Sequence, residues 1–402
     1  FPRLSRAVIV YSQHEKVFCI LLLWPFLAQA QWNLSPEAQI HVLTCGPYQG
    51  ELYSAFGHSA IRVHDPAIGL DFIYNYGVFD YDQPNFYLNF ARGYLYYQLD
   101  VSAYERFKML YIQEDRYIHE QVLNLTAAEK QKFFDFLQWN AREENKYYYY
   151  DYFYDNCATR IRDALAHVFG DRVQFEGDYI TTDYTIRDLC DIYLQYQPWG
   201  DLGIDLCLGL PMDKRATPYE YMFLPDYLES GLNHAYITRN GERAPLVKET
   251  IHTYESRDPV KPDTFFTPLV LTSLLLLIGL LITFRALRKK KNAFWWDAIL
   301  MSLVGLVGWL LVILWFATDH KAAAQNFNLL WAIPFYFPMA LLLLKKRKSS
   351  FLRLFFILTL ITHVLALVLW PWWPQDLHEA WIPLTLLLAV RSYVIQRKLA
   401  AV

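Results

Sequence analysis

The pattern of hydrophobic and polar positions divides the chain near residue 266. Beyond that point, apolar segments follow one another at about 267–287, 294–316, 329–344, 351–370 and 377–394. Most of them approach the roughly 20 residues that cross about 30 Å of hydrocarbon. The third is shorter and contains Pro334 and Pro338. The pattern predicts an all-α membrane domain of about five transmembrane helices over residues 266–402.

Clusters of Lys and Arg predict how these segments are oriented. They follow the first, third and fifth segments, at 285–291, 345–348 and 391–398, whereas the intervening loops hold one basic residue, Lys321. Because basic loops stay in the cytoplasm, the part of the chain before residue 266 is predicted to lie outside. With four spans, the last basic cluster would fall on the wrong side of the membrane.

The N-terminus supports export of the first part of the chain. Residues 17–30 form an apolar run that follows Arg3, Arg6 and Lys16 and ends in Ala28-Gln29-Ala30. This is typical of a secretory signal over residues 1–30. The alternative is a short anchor that is retained.

The exported part mixes strand and helix patterns, which predicts an α+β fold. Alternating apolar and polar residues at 59–64 and 70–76, with a turn between them, indicate two neighbouring strands. Thr126 and Glu129 form a capping box that opens a helix toward Trp139. A second helix is predicted to begin after Asn156. We assign 31–170 to the catalytic domain and 171–265 to an accessory region.

Composition and residue spacing argue against nucleic-acid binding and against a metal site. The chain is 54% hydrophobic and 19% charged, with a net charge of −3, and its basic residues cluster between apolar runs. A nucleic-acid-binding domain would instead carry a basic stripe. The Cys and His residues show no paired metal-ligand spacing, so no metal or other cofactor is predicted. Cys190 and Cys207 are the favoured disulfide pair in an oxidising compartment, although spacing alone does not establish it.

Cys157 is the candidate nucleophile. It follows Asn156, a good N-cap residue, and therefore falls in the first turn of the predicted helix. There the helix dipole and the backbone N–H groups stabilise a thiolate and an oxyanion. The alternative for a single Cys is a small buried apolar residue.

His58 is the candidate base, because it opens a predicted strand directly after Gly57. A Cys–His pair needs a third group that fixes the imidazole tautomer. Asn75, on the next strand, can serve, and Asp71 on the same face is the second choice. The alternative for Asn75 is a turn residue before Gly77.

These motifs resemble a known family. The order of His on a strand, a polar residue on the next strand and Cys on a helix resembles the permuted papain-like fold of the lecithin–retinol acyltransferase group. Phe56-Gly57-His58-Ser59, Asn75-Tyr76-Gly77 and Tyr154-Asp155-Asn156-Cys157 resemble the exported domain of the Lnb family of Bacteroidota. The resemblance extends to 210–213, 223–228 and 328–331 in the rest of the chain.

The resemblance implies a function. It implies a lipoprotein N-acyltransferase in the bacterial inner membrane, with its catalytic domain in the periplasm. The acyl chain would move from a phospholipid, through a Cys157 thioester, to the α-amine of a diacylated lipoprotein. The family motifs and their neighbourhood also supply residues predicted to bind substrate or support the nucleophile: Ser59, Asp71, Tyr154, Asp155, Asn156 and Arg160. The alternatives are a membrane-anchored cysteine peptidase that acts on cell-wall peptides and a non-catalytic envelope scaffold.

Overall fold

The computed structural model describes residues 32–258, 265–289, 294–345 and 349–400. The predicted signal segment 1–30 lies outside the described residues, as do parts of two basic clusters, 290–291 and 346–348.

An antiparallel sheet of seven strands organises the exported part. Its strands are β1 (Gln39–Cys45), β2 (His58–Asp65), β3 (Leu70–Val78), β4 (Tyr96–Ala103), β5 (Ile118–Leu123), β6 (Tyr147–Tyr149) and β10 (Val247–Tyr254). They lie in the order β10-β5-β1-β2-β3-β4-β6. The two strands predicted at 59–64 and 70–76 are confirmed as the adjacent antiparallel pair β2 and β3.

Alternation along the strands buries both faces of this sheet. The helices are α1 (Phe86–Arg92), α2 (Tyr104–Gln113), α3 (Ala127–Asn140) and α4 (Cys157–Phe169). On one face Ile61 and Val63 pack with Phe133 of α3 and Ile161 of α4. On the other face Ala60 packs with side chains of α2, Phe107 among them. The capping box predicted at Thr126 and Glu129 is present at the start of α3.

The following region adds short helices and a second sheet. Its elements are β7 (Val173–Phe175), α5 (Ile186–Leu194), α6 (Pro198–Cys207), α7 (Pro218–Tyr221), α8 (Pro225–Asn233), β8 (Ala235–Arg239) and β9 (Glu242–Pro245). Strands β7, β8 and β9 form a sheet of three. The chain then returns through β10 to the edge of the large sheet, beside β5. The predicted accessory region therefore contributes a strand to the seven-stranded sheet.

The C-terminal region is helical. Its helices are α9 (Pro268–Arg288), α10 (Phe294–Ala317), α11 (Tyr336–Leu343), α12 (Ser350–Val368) and α13 (Trp381–Leu399). Among the described residues, α9, α10 and α12 are long and apolar enough to span a membrane. The prediction of about five spans is thus supported for three. The third segment forms only the eight-residue α11, which begins two residues after Pro334 and contains Pro338 in its first turn, where proline is tolerated. Helix α13 carries Arg391, Arg397 and Lys398.

The two regions are joined by buried polar contacts. Asn326, in a loop between membrane-region helices, donates its Nδ2 hydrogen to the carbonyl of Leu206 at 2.8 Å. Gln375 donates from Nε2 to the carbonyl of Leu208 at 3.0 Å and is itself buried. Since unpaired buried amides are costly, these bonds fix the accessory helices on the membrane region.

Candidate active site

Asn156 positions Cys157 at the start of α4. Its Oδ1 accepts hydrogen bonds from the backbone N–H groups of Ala158 and Thr159, both at 2.9 Å. Thr159 returns the bond by accepting the N–H of Asn156 at 2.7 Å. The Asn156 amide also donates to the carbonyl of Phe223 at 2.8 Å. The predicted N-cap is therefore confirmed, and its reciprocal bonds fix the first turn of the helix that carries the thiol.

His58 lies at the first residue of β2, and the structure brings it to Asn75. The imidazole Nε2 is 2.6 Å from Asn75 Oδ1. An amide oxygen only accepts, so Nε2 carries the proton and Nδ1 is the acceptor in the neutral ring. The rings of Tyr111 and Phe107 lie 6.3 and 6.4 Å from the imidazole, which limits its movement on that side.

Cys157 lies within hydrogen-bonding reach of His58. Burial alone would raise the pKa of the Cys157 thiol, which is 8% exposed. The charge and hydrogen bond of His58, together with the N–H groups of Ser59 and Ala158, outweigh burial and hold that pKa below its usual value. A thiolate beside an imidazole at a helix start is a competent nucleophile.

The other described cysteines differ from Cys157. Cys45 pairs directly opposite His58 in the sheet, yet burial raises the pKa of its thiol far above the usual range. Burial likewise raises the pKa values of Cys190 and Cys207. The expected Cys190–Cys207 disulfide is absent, since both residues carry free thiols in the described structure. Of these four cysteines, Cys157 is the one whose pKa is lowered, so its thiol ionises most readily.

Asp71, the second candidate for the group that fixes the His58 tautomer, binds other residues. Both of its carboxylate oxygens accept from Arg62, at 2.7 and 2.8 Å. Arg62 also donates to Glu120 at 2.9 Å, and Glu120 binds His41 at 2.8 Å. The carboxylate of Asp71 therefore serves an ion-pair network, and the geometry favours Asn75 as the partner of His58.

The remaining predicted residues surround the start of α4. Arg160 donates to Asp155 at 2.7 Å, and its guanidinium lies 3.8 Å from the centre of the Tyr148 ring. Burial raises the pKa of Asp155 although Arg160 opposes that effect. The Tyr154 ring is exposed and lies 5.4 Å from the Lys214 ammonium. These residues support the loop before the nucleophile.

Two residues beside Cys157 were not predicted as part of the site. Gly77 has a φ of +87°, and a β-carbon there would lie 3.8 Å from that of Cys157 and 3.3 Å from the Tyr150 ring. Tyr150 packs against Tyr97 with ring centres 4.6 Å apart. The Asn75-Tyr76-Gly77 sequence was a signal for Gly77. Tyr150 belongs to a run of four tyrosines, Tyr147–Tyr150, and nothing in that run distinguishes it from its neighbours.

Two groups in the described structure have the donor atoms for a metal ion. One consists of His119, His252 and Glu255, and the other of Asp191, Asp201 and Asp205. Sequence spacing missed both because each group is completed by a residue from another element, His119 of β5 in the first and Asp191 of α5 in the second. Neither group includes Cys157, His58 or Asn75.

Comparison with protein families agrees with this architecture. The fold and the site together define a class of protein. Its members have an exported sheet domain in which Cys, His and Asn side chains lie close together, followed by a membrane-spanning region. Residues 28–191 match the Lnb N-terminal periplasmic domain, and residues 260–400 match the Lnb transmembrane domain. The chain belongs to the Lnb family, and it is a membrane protein with a periplasmic region. No curated protein and no solved structure matches it.

Proposed function

We propose that the protein is a lipoprotein N-acyltransferase of the inner membrane that works through an acyl thioester on Cys157. The observation that carries the proposal is the Cys157 thiol, whose pKa is lowered by the neighbouring His58, together with the His58 ring, whose Nε2 lies 2.6 Å from Asn75 Oδ1. This arrangement suits acyl transfer. The permuted papain-like fold and a five-pass membrane domain, in which α11 and α13 complete the bundle, belong to the same proposal.

In the first half-reaction, His58 Nδ1 takes the thiol proton and the Cys157 sulfur attacks an ester carbonyl of a phospholipid. The N–H of Cys157 is among the donors that the first turn of a helix leaves without an internal partner, so it is suited to hold the oxyanion. The carbon–oxygen ester bond then breaks. His58 returns the proton to the departing oxygen, which releases a lysophospholipid and leaves the acyl chain on sulfur.

In the second half-reaction, the α-amine of a diacylated lipoprotein attacks the thioester. Its nitrogen forms the amide bond as the carbon–sulfur bond breaks, and its proton passes through His58 to the sulfur. The thioester supplies the driving force, so the reaction as written consumes no nucleotide. Exclusion of water favours the amine over hydrolysis.

The surroundings of Cys157 favour lipid over peptide as the substrate. The Tyr150 ring lies beside Gly77 and packs against Tyr97. The Tyr97 ring in turn contacts Phe79, with ring centres 5.0 Å apart. A peptidase of cell-wall fragments would need a polar, open cleft. The aromatic rings near Cys157 provide apolar surface, which is suited to contact an acyl chain.

The test is mass spectrometry of lipoprotein N-termini from cells that depend on this protein. We expect Cys157→Ala to abolish N-acylation, whereas Cys207→Ser, which alters another free thiol, should retain it. Purified wild-type protein incubated with phospholipid alone should gain one acyl mass on Cys157. Full N-acylation in the Cys157→Ala cells would refute the proposal, and release of wall peptides without acyl transfer would favour the peptidase.

A further inference from the structure

Helix α1 exposes an apolar surface to solvent. The helix has no buried residue, and Tyr87 and Leu88 are 77% and 57% exposed. With Tyr81, Phe86 and Phe90 they form what we call the α1 surface, in which the Phe86 ring lies 5.1 Å from that of Tyr81 and 5.3 Å from that of Tyr87. Contiguous exposed apolar groups of this kind mark an interaction site.

The position of α1 relative to the membrane region indicates what covers this surface. The backbone N–H of Asp319, two residues after α10, donates to the carbonyl of Arg92 at the end of α1, at 2.8 Å. Gly93 follows with a φ of +83°, and a β-carbon there would lie 2.9 Å from the Asp319 backbone. Since the end of α10 is the end predicted to lie outside, α1 lies at the level where that helix leaves the hydrocarbon.

The α1 surface is also close to the nucleophile. Phe79 contacts Tyr81 with ring centres 4.9 Å apart and contacts Tyr97 at 5.0 Å. Phe79 is two residues beyond Gly77, which lies beside Cys157. Two residues of extended chain cover about 7 Å. A series of ring contacts through Tyr81, Phe79, Tyr97 and Tyr150 therefore leads from the exposed surface to the position of Gly77, beside Cys157.

We propose that the α1 surface docks into the headgroup region of the outer leaflet of the bilayer that holds α9, α10 and α12. Tyrosine suits this region because one end of its ring is apolar and the other is polar. Docking places the aromatic approach to Cys157 against the lipid, so that an acyl chain reaches the thiol without crossing water. Docking itself does not depend on the acyl-transfer reaction.

The experiment measures the depth of a spin label on the full chain in nanodiscs of phosphatidylethanolamine and phosphatidylglycerol. One label is placed at Leu88→Cys and a matched one at Ile68→Cys. Ile68 is exposed to 44% and lies in the turn at the other end of β3, a strand of nine residues that spans about 30 Å. The signal of the labelled parent chain, which contains the reactive Cys157 and the half-buried Cys207, is subtracted from both.

We expect the label at Leu88 to be several-fold more accessible to oxygen, relative to a water-soluble nickel chelate, than the label at Ile68. Equal accessibility to the nickel chelate at both sites would overturn the proposal. A label at Leu88 that is shielded from both reagents would also overturn it, because a protein partner or a second copy would then cover the surface. Neither outcome depends on whether Cys157 carries an acyl group.

Discussion

The charge state of Cys157 depends on one neighbouring side chain. Burial raises the pKa of this thiol, and the imidazole of His58, with the N–H groups of Ser59 and Ala158, lowers it below its usual value. Removal of the imidazole takes away both a charge and a hydrogen bond that favour the thiolate, so the pKa must rise. We predict that His58→Ala shifts alkylation of Cys157 by iodoacetamide to higher pH.

The measurement is the pH dependence of the alkylation rate, followed at Cys157 by peptide mass spectrometry. His64→Ala is the matched control, because His64 lies on the same strand and pairs with Gln39 and Asp71 rather than approaching the thiol. An unchanged midpoint in His58→Ala would mean that the backbone N–H groups alone hold the thiolate. Catalysis should also fall by about 10²–10⁴-fold in His58→Ala, which is what acid–base assistance contributes.

At the same scale, local signals in the sequence identified some residues and not others. Asn156 and Cys157 were predictable because an N-cap and the first helical turn depend on adjacent residues. The choice between Asn75 and Asp71 depended on the long side chain of Arg62, which reaches Asp71 across the strand pair. Alternation along a strand gives the face of a residue but not its partner.

The end of β3 is the element that shapes the space beside the thiol. Gly77 has a φ of +87°, and an added β-carbon would be 3.3 Å from Tyr150, whereas at Gly69, which precedes β3 with a φ of +67°, nothing lies within 4 Å. Both positions carry the left-handed penalty of roughly 1–2 kcal/mol for a side chain. We predict that Gly77→Ala lowers acyl transfer much more than Gly69→Ala at a similar cost in thermal stability.

The comparison requires the rate of acyl transfer and the unfolding temperature of each variant in detergent. Because the two glycines share the backbone penalty, the extra loss of activity in Gly77→Ala reports the displacement of the Tyr150 ring beside Cys157. Equal rates of acyl transfer in the two variants would show that the Tyr150 ring moves aside without any effect on the site.

Among the elements, the sequence predicted those whose periodicity is strong. The pair β2 and β3 and the helices that begin after Thr126 and Asn156 are confirmed. The third apolar segment, predicted as the shortest of the five, forms a 3₁₀ turn at Phe327–Leu330 and the short α11. Hydropathy measures the apolar length of a segment but does not show where a helix begins within it, here only after Pro334.

At the scale of the whole molecule, the interface between the exported and membrane regions could not be predicted from the sequence. It consists of single buried groups such as Gln375, which bridges the carbonyl of Leu208 and the N–H of Phe327. The return of β10 to the large sheet was equally hidden, because its partner β5 lies more than a hundred residues earlier. Pairings of this kind depend on the folded topology rather than on local pattern.

Arg187 links this interface to the accessory helices and allows a test of the whole assembly. It is buried and donates to Asp205 at 2.7 Å and to Asp213 at 3.0 Å, and Asp213 accepts the backbone N–H of Asp376 from the membrane region. Removal of one partner of a buried ion pair costs about 3–5 kcal/mol. We predict that Arg187→Leu destabilises the full chain by several kcal/mol, whereas Arg215→Leu, which breaks an exposed pair with Asp183, costs about 0–1 kcal/mol.

The loss in Arg187→Leu should also depend on pH in a defined direction. Burial raises the pKa of Asp205 to about 6, while Arg187 opposes that rise. A carboxyl group whose folded pKa exceeds its unfolded pKa destabilises the fold increasingly as the pH rises through that interval. Without Arg187 the folded pKa rises further and the interval widens, so the variant should lose more stability at pH 8 than at pH 5. Unfolding of both variants in detergent at the two pH values measures this difference, and a loss independent of pH would mean that Arg187 acts by packing alone.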